Sequence, residues 1–517
     1  VVSTVTARNP RNIPAARVLK DLSGHELREL ARKDEVTSAY GSPVYTTRVK
    51  NRSARNTHIV ASRGLEIGIH QQPIQPEKSQ EVIREVHEYL STRQMIQVDR
   101  RLGMSPEASL QCRLFVPVEF ARIAFMWHNM LFPADSSREP DFVSVYVPDW
   151  PERLIFLDPN EGYTYICGTD YPGEAKKSML RQAMYWMKKR GGLGLHAGSK
   201  ILRVRVQDQQ LKDVGFLLFG LSGTGKTTLT LHDHGLQDPE RVIIKQDDVV
   251  LLSPEGRAYG TEDGFYIKTE GLEPSQKVLW DAAISPSACY ENVKVLASGE
   301  IDFTDTSITS NGRGVVLRRN IHGTDDAIDL PRANKIIFIT RRNDIVPAVA
   351  RLSPEQGAAF FMLGESIETS AGDPSRAGQA KREVGTNPFI VGPEAEEGNR
   401  LLAFLRKHSD MQAYILNTGS VGARAGHPGE KISIAVSTRI MTEIAREGIT
   451  WQKDPDWGYE VAGHVPGVDL SRYDPRSFYT PEEHATLVAR LRGERDAWLA
   501  QFPGLDPAIP RALLPSH

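Results

Sequence analysis

Cysteine is nearly absent from this chain: Cys112, Cys167 and Cys289 are its only three in 517 residues, and no two of them form a C-x-x-C pair. That scarcity excludes a disulfide framework and a thiolate zinc site, and it fits a reducing compartment, so a cytoplasmic location is expected. Charge of one sign is also lacking. With a formal net charge of −2 and 25% charged residues, no global field recruits nucleic acid or an anionic membrane, and partners have to be sought in local sites. No stretch approaches the roughly 18 apolar residues that span a bilayer, and the first residues, VVSTVTARNPRNIPAARVL, lack the apolar core of a secretory signal. A soluble protein is expected. Asn51-Arg52-Ser53 matches a glycosylation sequon, which reads as chance without such a signal. Internal repeats are missing too, and nothing sets an oligomeric state.

What is present divides the chain. At 517 residues there is room for two or three domains of roughly 100–200 residues each. Residues 1–210 mix helical and strand patterns, as in QEVIREVHEYL, where Ile83, Val86 and Leu90 recur at helical spacing. An α/β substrate-binding domain is expected there. Over residues 211–450, apolar strand candidates recur as VGFLLFG, RVIIKQDD, NKIIFIT and MQAYILNTG, several ending in polar or small residues where sites form. This region is expected to bind nucleotide and metal. Residues 451–517 read as an extension: Thr480-Pro481-Glu482-Glu483 starts a helix with a cap, an N1 proline and an N3 glutamate. Leu487, Leu491, Trp498 and Phe502 are expected on its one apolar face. The segment Gly364 to Gly398, polar and rich in Gly, Ser and Pro, reads as a long loop or lid, or as a surface insertion.

The strongest local signal is FGLSGTGKTT. From Gly220 the spacing is G-x-x-x-x-G-K-T, the Walker A pattern, between an apolar strand and a helix start. Gly220, Gly223 and Gly225 let the backbone curl around a phosphate, with Leu221, Ser222 and Thr224 offering N–H groups of the same loop. Lys226 would reach the β and γ phosphates of ATP, and the Thr227 hydroxyl would ligate Mg²⁺, with Thr228 beside it. Downstream, Asp247 and Asp248 end the strand RVIIKQ where a carboxylate could hold Mg²⁺ directly or through water. His232 and His234, just before Gly235, are expected to cap a helix.

Around these residues the sequence resembles the ATP-dependent phosphoenolpyruvate carboxykinases, over roughly residues 40 to 440. The family segment G-L-S-G-T-G-K-T-T-L recurs from Gly220 to Leu229. Gly168-Thr-Asp-Tyr-Pro-Gly-Glu-Ala-Lys-Lys-Ser178 is similar to G-T-x-Y-x-G-E-x-K-K, and GFYIKT, ENVKV and GEIDFTD follow in family order, with Lys268 in the first of them. The resemblance implies a two-domain α/β carboxykinase-like fold with a P-loop mononucleotide-binding C-terminal domain. It also implies Lys177, His196 and Asp248 as ligands of a second, transition-type cation such as Mn²⁺. An amine ligates only when neutral, which burial and an adjacent cation favour. Arg52, Arg313 and Tyr171 are implied as substrate groups, since guanidinium pairs bidentately with carboxylate or phosphate.

The implied reaction takes oxaloacetate and ATP to phosphoenolpyruvate, CO₂ and ADP, with Lys226, Arg313, Asp247, Arg52 and Tyr171 as catalytic residues. Departures from the family pattern lie around the substrate shell. NRSARNT stands for G-R-S-P-K-D-K, and VGTNPFIVG stands where F-S-A-C-F-G is expected. EKISI puts Lys431 at a position where the family has a nucleotide-contacting arginine. These departures leave two alternatives, a kinase for another metabolite or a macromolecule, and a non-catalytic nucleotide sensor. The expected partner is a small-molecule anionic substrate, oxaloacetate or another acceptor, with no nucleic acid or membrane.

Overall fold

A computed structural model describes residues 12–368 and 378–514 of the chain. It is a mixed α/β structure with several sheets and two compact units. The first unit comprises Val1–Lys189, Thr261–His322 and Phe389–Gly392; the second comprises Arg190–Gly260, Gly323–Pro388 and Pro393–His517. The units therefore interleave along the chain, unlike the contiguous division expected at residues 210 and 450. Strand pairing is the reason. Cys289–Glu291 pairs in parallel with Pro43–Tyr45, and Arg313–Leu317 joins Cys289–Glu291 to Gly264–Lys268. Pairing between residues so far apart leaves no mark in local composition.

In the first unit a nine-stranded mixed sheet is centred on Leu110–Pro117, Phe142–Val147 and Tyr163–Cys167. Strand Phe142–Val147 is buried along its whole length, as expected where both faces are covered. One cover is the helix Pro76–Leu90, whose Val82, Ile83, Val86 and Leu90 join Phe115, Val143, Val145, Phe156 and Tyr165 in one core. That is the helical spacing read from QEVIREVHEYL. The helix Gly173–Lys189 also packs on this sheet and is buried over nearly all of its residues, polar ones included. A helix apolar on only one stripe is seldom so enclosed. Its polar side chains are therefore held in place for something other than solvation.

In the second unit an eight-stranded sheet contains three adjacent parallel strands, Leu211–Phe219, Lys335–Thr340 and Gln412–Asn417. Gly198–Arg205 lies antiparallel beside Leu211–Phe219, and Arg241–Gln246 lies antiparallel beside Gly198–Arg205. Strand direction then puts the carboxyl ends of Leu211–Phe219, Lys335–Thr340, Gln412–Asn417 and Arg241–Gln246, and the amino end of Gly198–Arg205, on one edge of the sheet. This is the edge at which open α/β sheets place their ligands. At the far side Thr450–Lys453 and Glu460–His464 extend the same sheet. Residues beyond 450 are thus part of the second unit.

Two expectations about local structure change. Within Gly364 to Gly398 the described residues form paired strands Glu365–Ile367 and Ala380–Arg382, a 3₁₀ turn at Val384–Thr386 and the start of the helix Glu394–Lys407; residues 369–377 lie outside the described residues. The helix Pro481–Leu499 does start with a Thr480–Glu483 capping box, but its buried residues are Val488, Leu491, Arg495 and Leu499. Leu487 and Trp498 are only half-buried. Arg495 reads as a solvated charge in sequence, yet it occupies the centre of the buried face. The three cysteines are all buried thiols. Among the described residues no helix is long and apolar enough to cross a membrane.

One buried ion pair organises the first unit around the G-T-D-Y segment. Arg122 Nη2 donates to Asp170 Oδ2 at 2.9 Å, with the side chains 5% and 4% exposed. Asp170 also accepts the backbone N–H of Arg48 at 2.9 Å and of Val49 at 2.8 Å. Asp170→Ala removes one partner and leaves a buried guanidinium uncompensated, which costs about 3–5 kcal/mol. Thermal or urea unfolding of the variant should show that loss. An unchanged unfolding curve would mean that Arg122 is satisfied without Asp170.

Candidate active site

At the second unit's sheet edge, the chain leaving Leu211–Phe219 turns through Gly220–Gly225 into the helix Lys226–Leu231. Gly225 has φ 92°, a conformation a side chain disfavours, which lets the following N–H groups point out of the turn. Leu221 and Thr224 are buried, and the Thr224 hydroxyl donates to Leu221 O at 2.7 Å. Two neighbouring strand ends hold the loop from below. Thr418 Oγ1 donates to Thr224 O at 2.6 Å, and Arg341 Nη1 donates to Gly223 O at 3.1 Å. Carbonyls pinned underneath leave the loop's N–H face available to an anion. Ser222 and Gly223 are exposed, and Thr227 and Thr228 are half-exposed.

Asp248, just beyond Arg241–Gln246, gathers two of the sequence candidates. Lys226 Nζ lies 3.8 Å from Asp248 Oδ1 and 3.5 Å from Asp248 O. His196 Nε2 lies 3.0 Å from the same Oδ1. The other ring nitrogen, Nδ1, is 2.6 Å from Thr386 O. A carbonyl only accepts, so Nδ1 carries a proton and Nε2 is the nitrogen that faces the carboxylate. Two acceptors at that distance need a cation between them, a proton or a metal ion. Asp247 is buried beside this pair in sequence. His234 does not cap the neighbouring helix; it is half-buried with its Nε2 2.6 Å from Lys200 Nζ, and Lys200 itself donates to Leu229 O. His232 stands at the helix C-cap position.

The remaining candidates lie in the first unit. Glu174 Oε1 accepts the Ser53 N–H at 2.5 Å, so the G-T-D-Y-P-G-E segment fixes the loop carrying Arg52 through Asp170 at one end and Glu174 at the other. The Arg52 guanidinium and the Lys177 amine each lie 4.8 Å from the centre of the Phe389 ring, and Arg181 lies 5.2 Å from it. Burial pulls the Arg181 guanidinium down to about 10, with Arg52 adding to the shift and Glu174 opposing it. Three basic groups crowd one ring, two of them guanidinium groups that stay charged, and the ring's negative face offsets only part of their repulsion. An anion is the natural complement.

Next to this cluster in the fold of the same unit, Arg313 lies 5.3 Å from the Tyr266 ring, and its Nε donates to Asn311 Oδ1 at 3.0 Å. Asn311 Nδ2 approaches the Tyr171 hydroxyl at 3.4 Å. A Cβ on Gly173 would stand 2.5 Å from the Tyr171 ring, so glycine is what lets that tyrosine fold over the helix start. Lys268 pairs with Glu270 at 2.9 Å in this unit. Lys431 is exposed in the second unit, in the short strand Glu430–Lys431. Lys177 belongs to the first unit, and His196 and Asp248 to the second.

The sequence model of the phosphoenolpyruvate carboxykinase family, ATP-dependent class, matches residues 16–471. The chain belongs to this family. It is similar to the ATP-dependent phosphoenolpyruvate carboxykinase of Aeropyrum pernix, with 38% identity over 411 residues that cover 79% of this chain and 81% of that one. The enzymes of the same name from Geobacillus thermodenitrificans and Thermus thermophilus are 27% identical over 500 residues and 28% identical over 482 residues, covering 90% and 87% of each chain respectively.

For a carboxykinase-family chain, several side chains at these positions escape sequence reading. Phe389 has no charge to flag it, and it sits in the VGTNPFIVG stretch that departs from the family pattern. Arg181 looks like one more helical arginine. Glu291, within ENVKV, is buried with Oε1 accepting the Tyr266 hydroxyl at 2.6 Å and Oε2 without a hydrogen-bond partner. Burial pushes its carboxyl up to about 7, against the opposing Tyr266 hydrogen bond and the Arg122 and Arg313 charges. An acid with a raised folded pKa contributes stability that is full below about 4.5 and lost as pH rises through about 7. Glu291→Gln, which cannot ionise, should therefore match the parent protein near pH 4 and exceed its stability at pH 8 by up to about 3 kcal/mol. Parallel stability-pH curves for the two proteins would contradict the buried neutral carboxyl.

Proposed function

We propose that this chain catalyses ATP-dependent conversion of oxaloacetate to phosphoenolpyruvate, CO₂ and ADP, with Gly220–Thr228 as its nucleotide loop. The observation that carries the reading is Asp248, whose one oxygen meets both His196 and the loop lysine Lys226. Phosphate-binding and cation-binding groups thereby converge on a single carboxylate, which a plain nucleotide sensor does not require.

The donor set suits a cation of the Mn²⁺ kind. Imidazole Nε2 and a carboxylate oxygen facing each other at 3.0 Å are two good ligands for it, and nitrogen donors favour transition cations over Mg²⁺. Among the described residues no group of three His, Cys, Asp or Glu side chains gathers. Lys177 is a ligand candidate from the family resemblance alone. Mg²⁺ accompanying ATP would be held by the Thr227 hydroxyl and a carboxylate of Asp247 or Asp248. A bound divalent cation supplies Lewis-acid stabilisation of the negative charge that develops on oxygen when CO₂ leaves.

The chain's own residues account for the rest. Arg52 grips a substrate carboxylate, and Arg181 strengthens the local positive potential. Tyr171, oriented by Asn311, offers its hydroxyl to the carboxylate that departs. Loss of CO₂ breaks a carbon–carbon bond and leaves its electron pair in the enolate, whose oxygen then attacks the γ-phosphorus as the bond to ADP breaks. Lys226 and Arg313 neutralise charge on the transferring phosphoryl oxygens, and Lys268 and Lys431 serve the nucleotide. Glu174 and Asp170 move nothing; they keep Arg52 where its guanidinium is needed.

Purified protein supplied with ATP, Mg²⁺ and Mn²⁺ should release ADP and CO₂ in step only when oxaloacetate is present. ADP release that instead needs another acceptor would replace this reading with a kinase. Lys226→Ala should lower turnover about 10²–10³-fold in a folded protein. Arg52→Ala should lower kcat/KM for oxaloacetate about a hundredfold with little change in ATP affinity, since it removes a charge-assisted bidentate contact. Mn²⁺ added above saturating Mg²⁺ should raise the rate, and His196→Ala should abolish that increment. An undiminished Mn²⁺ response in His196→Ala would remove the histidine from the cation site.

A further inference from the structure

Arg495 is the largest charged side chain sealed inside the second unit, at 1% exposure. It lies beyond the 16–471 span matched by the family model. Its guanidinium stacks over Trp457 at 4.5 Å and Phe360 at 4.8 Å, and its Nε donates to Glu365 Oε1 at 3.1 Å. Arg382 Nη2 meets the other carboxylate oxygen of Glu365 at 3.2 Å. Burial pushes the Glu365 carboxyl up, but the Arg495 and Arg342 charges outweigh it and hold it down at about 2. The carboxylate is therefore a fixed anion at any working pH. On the same helix, Trp498 Nε1 donates to Met362 O at 2.8 Å.

From Glu365 a short run of hydrogen bonds leads to the nucleotide loop. Glu365 O accepts the Thr340 hydroxyl at 2.8 Å, and Thr340 O accepts the Thr418 N–H at 2.9 Å and approaches its hydroxyl at 3.2 Å. That Thr418 hydroxyl donates to Thr224 O at 2.6 Å. A second branch runs alongside: Ile367 N–H donates to Arg341 O at 3.2 Å, and Arg341 Nη1 donates to Gly223 O at 3.1 Å. Phe219, the last residue before the loop, meets Phe361 edge-on at 5.8 Å. Glu365–Ile367 is only three residues long. A strand so short depends on what anchors it, and its buried anchor is Arg495.

We propose that Arg495 is a positioning residue for nucleotide binding, acting through Glu365, Thr340 and Thr418 to hold the carbonyls of Gly223 and Thr224. The helix Pro481–Leu499 is by this account a brace of the ATP site. The inference rests on Gly220–Thr228 being the nucleotide loop, and its test separates the two.

The test compares ATP KM, oxaloacetate KM and melting temperature for Arg495→Met, Arg495→Lys, Thr418→Val, the Arg495→Lys/Thr418→Val double variant, and Lys226→Ala. Arg495→Met should raise the ATP KM roughly tenfold, the scale of one or two lost hydrogen bonds, with oxaloacetate KM within about twofold and Arg495→Lys in between. The double variant should raise ATP KM by less than the product of its two single effects, because both break one relay. If Arg495→Met does not fold, the lysine variant and this coupling decide the matter. A lowered melting temperature with unchanged ATP KM in the Arg495 variants, or fully multiplicative effects in the double variant, overturns the brace. If Lys226→Ala also leaves nucleotide affinity and turnover intact, the loop assignment itself has failed.

Discussion

Like charges held together have to be compensated, and in the first unit that requirement shapes the surroundings of Arg52 and Arg181. Arg52, Lys177 and Arg181 share the Phe389 ring at 4.8–5.2 Å. The Arg52 and Arg181 guanidinium groups stay charged beside one ring, and like charges repel more strongly in a partly buried setting than in water. The fold supplies partial relief through the ring face and through Glu174, and it supplies rigidity by tying the Arg52 loop to Asp170 and Glu174. The folding of the sheet and of the helix Gly173–Lys189 thus holds these basic groups together around one ring. In the proposed function, a dicarboxylate that enters here relieves repulsion as well as making new contacts, so binding and electrostatic relaxation act in the same direction.

The second unit solves a different constraint. Parallel strands all run out of ladder partners at one edge, and backbone groups there must find other partners. Thr418 and Arg341 direct their donors to the loop carbonyls of Thr224 and Gly223. The same edge receives His196 and Asp248 because the antiparallel strand Gly198–Arg205 starts where Arg241–Gln246 ends. Strand direction alone therefore explains why residues 196, 226 and 248 meet.

Much of this was legible in the sequence. Lys226, Thr227 and the glycines sit at fixed spacing because the chemistry of a phosphate loop is local, and the colinear G-T-D-Y, K-T and ENVKV segments carried the family. Phe389, Glu291 and Arg495 were not legible, because their roles come from neighbours distant in sequence. Arg495 shows the difficulty most plainly: in a helix of Glu, Arg and Asp it reads as solvent-facing, and only Glu365, 130 residues away, makes it a core residue. The interleaved boundaries of the two units were hidden for the same reason, since the pairing of Cys289–Glu291 with Pro43–Tyr45 has no local signature. Composition around Gly364 to Gly398 suggested a loop where paired strands lie, because polar residues there face partners of their own chain.

The charge cluster can be questioned directly by titrating oxalate, a compact dicarboxylate, into the nucleotide-free protein by calorimetry at rising salt. Single-site binding that weakens steeply with ionic strength, and that falls sharply in Arg52→Ala and Arg181→Met, is the outcome expected of a preorganised anion site on the Phe389 ring. Absent binding, or binding indifferent to salt and to both arginines, would contradict it.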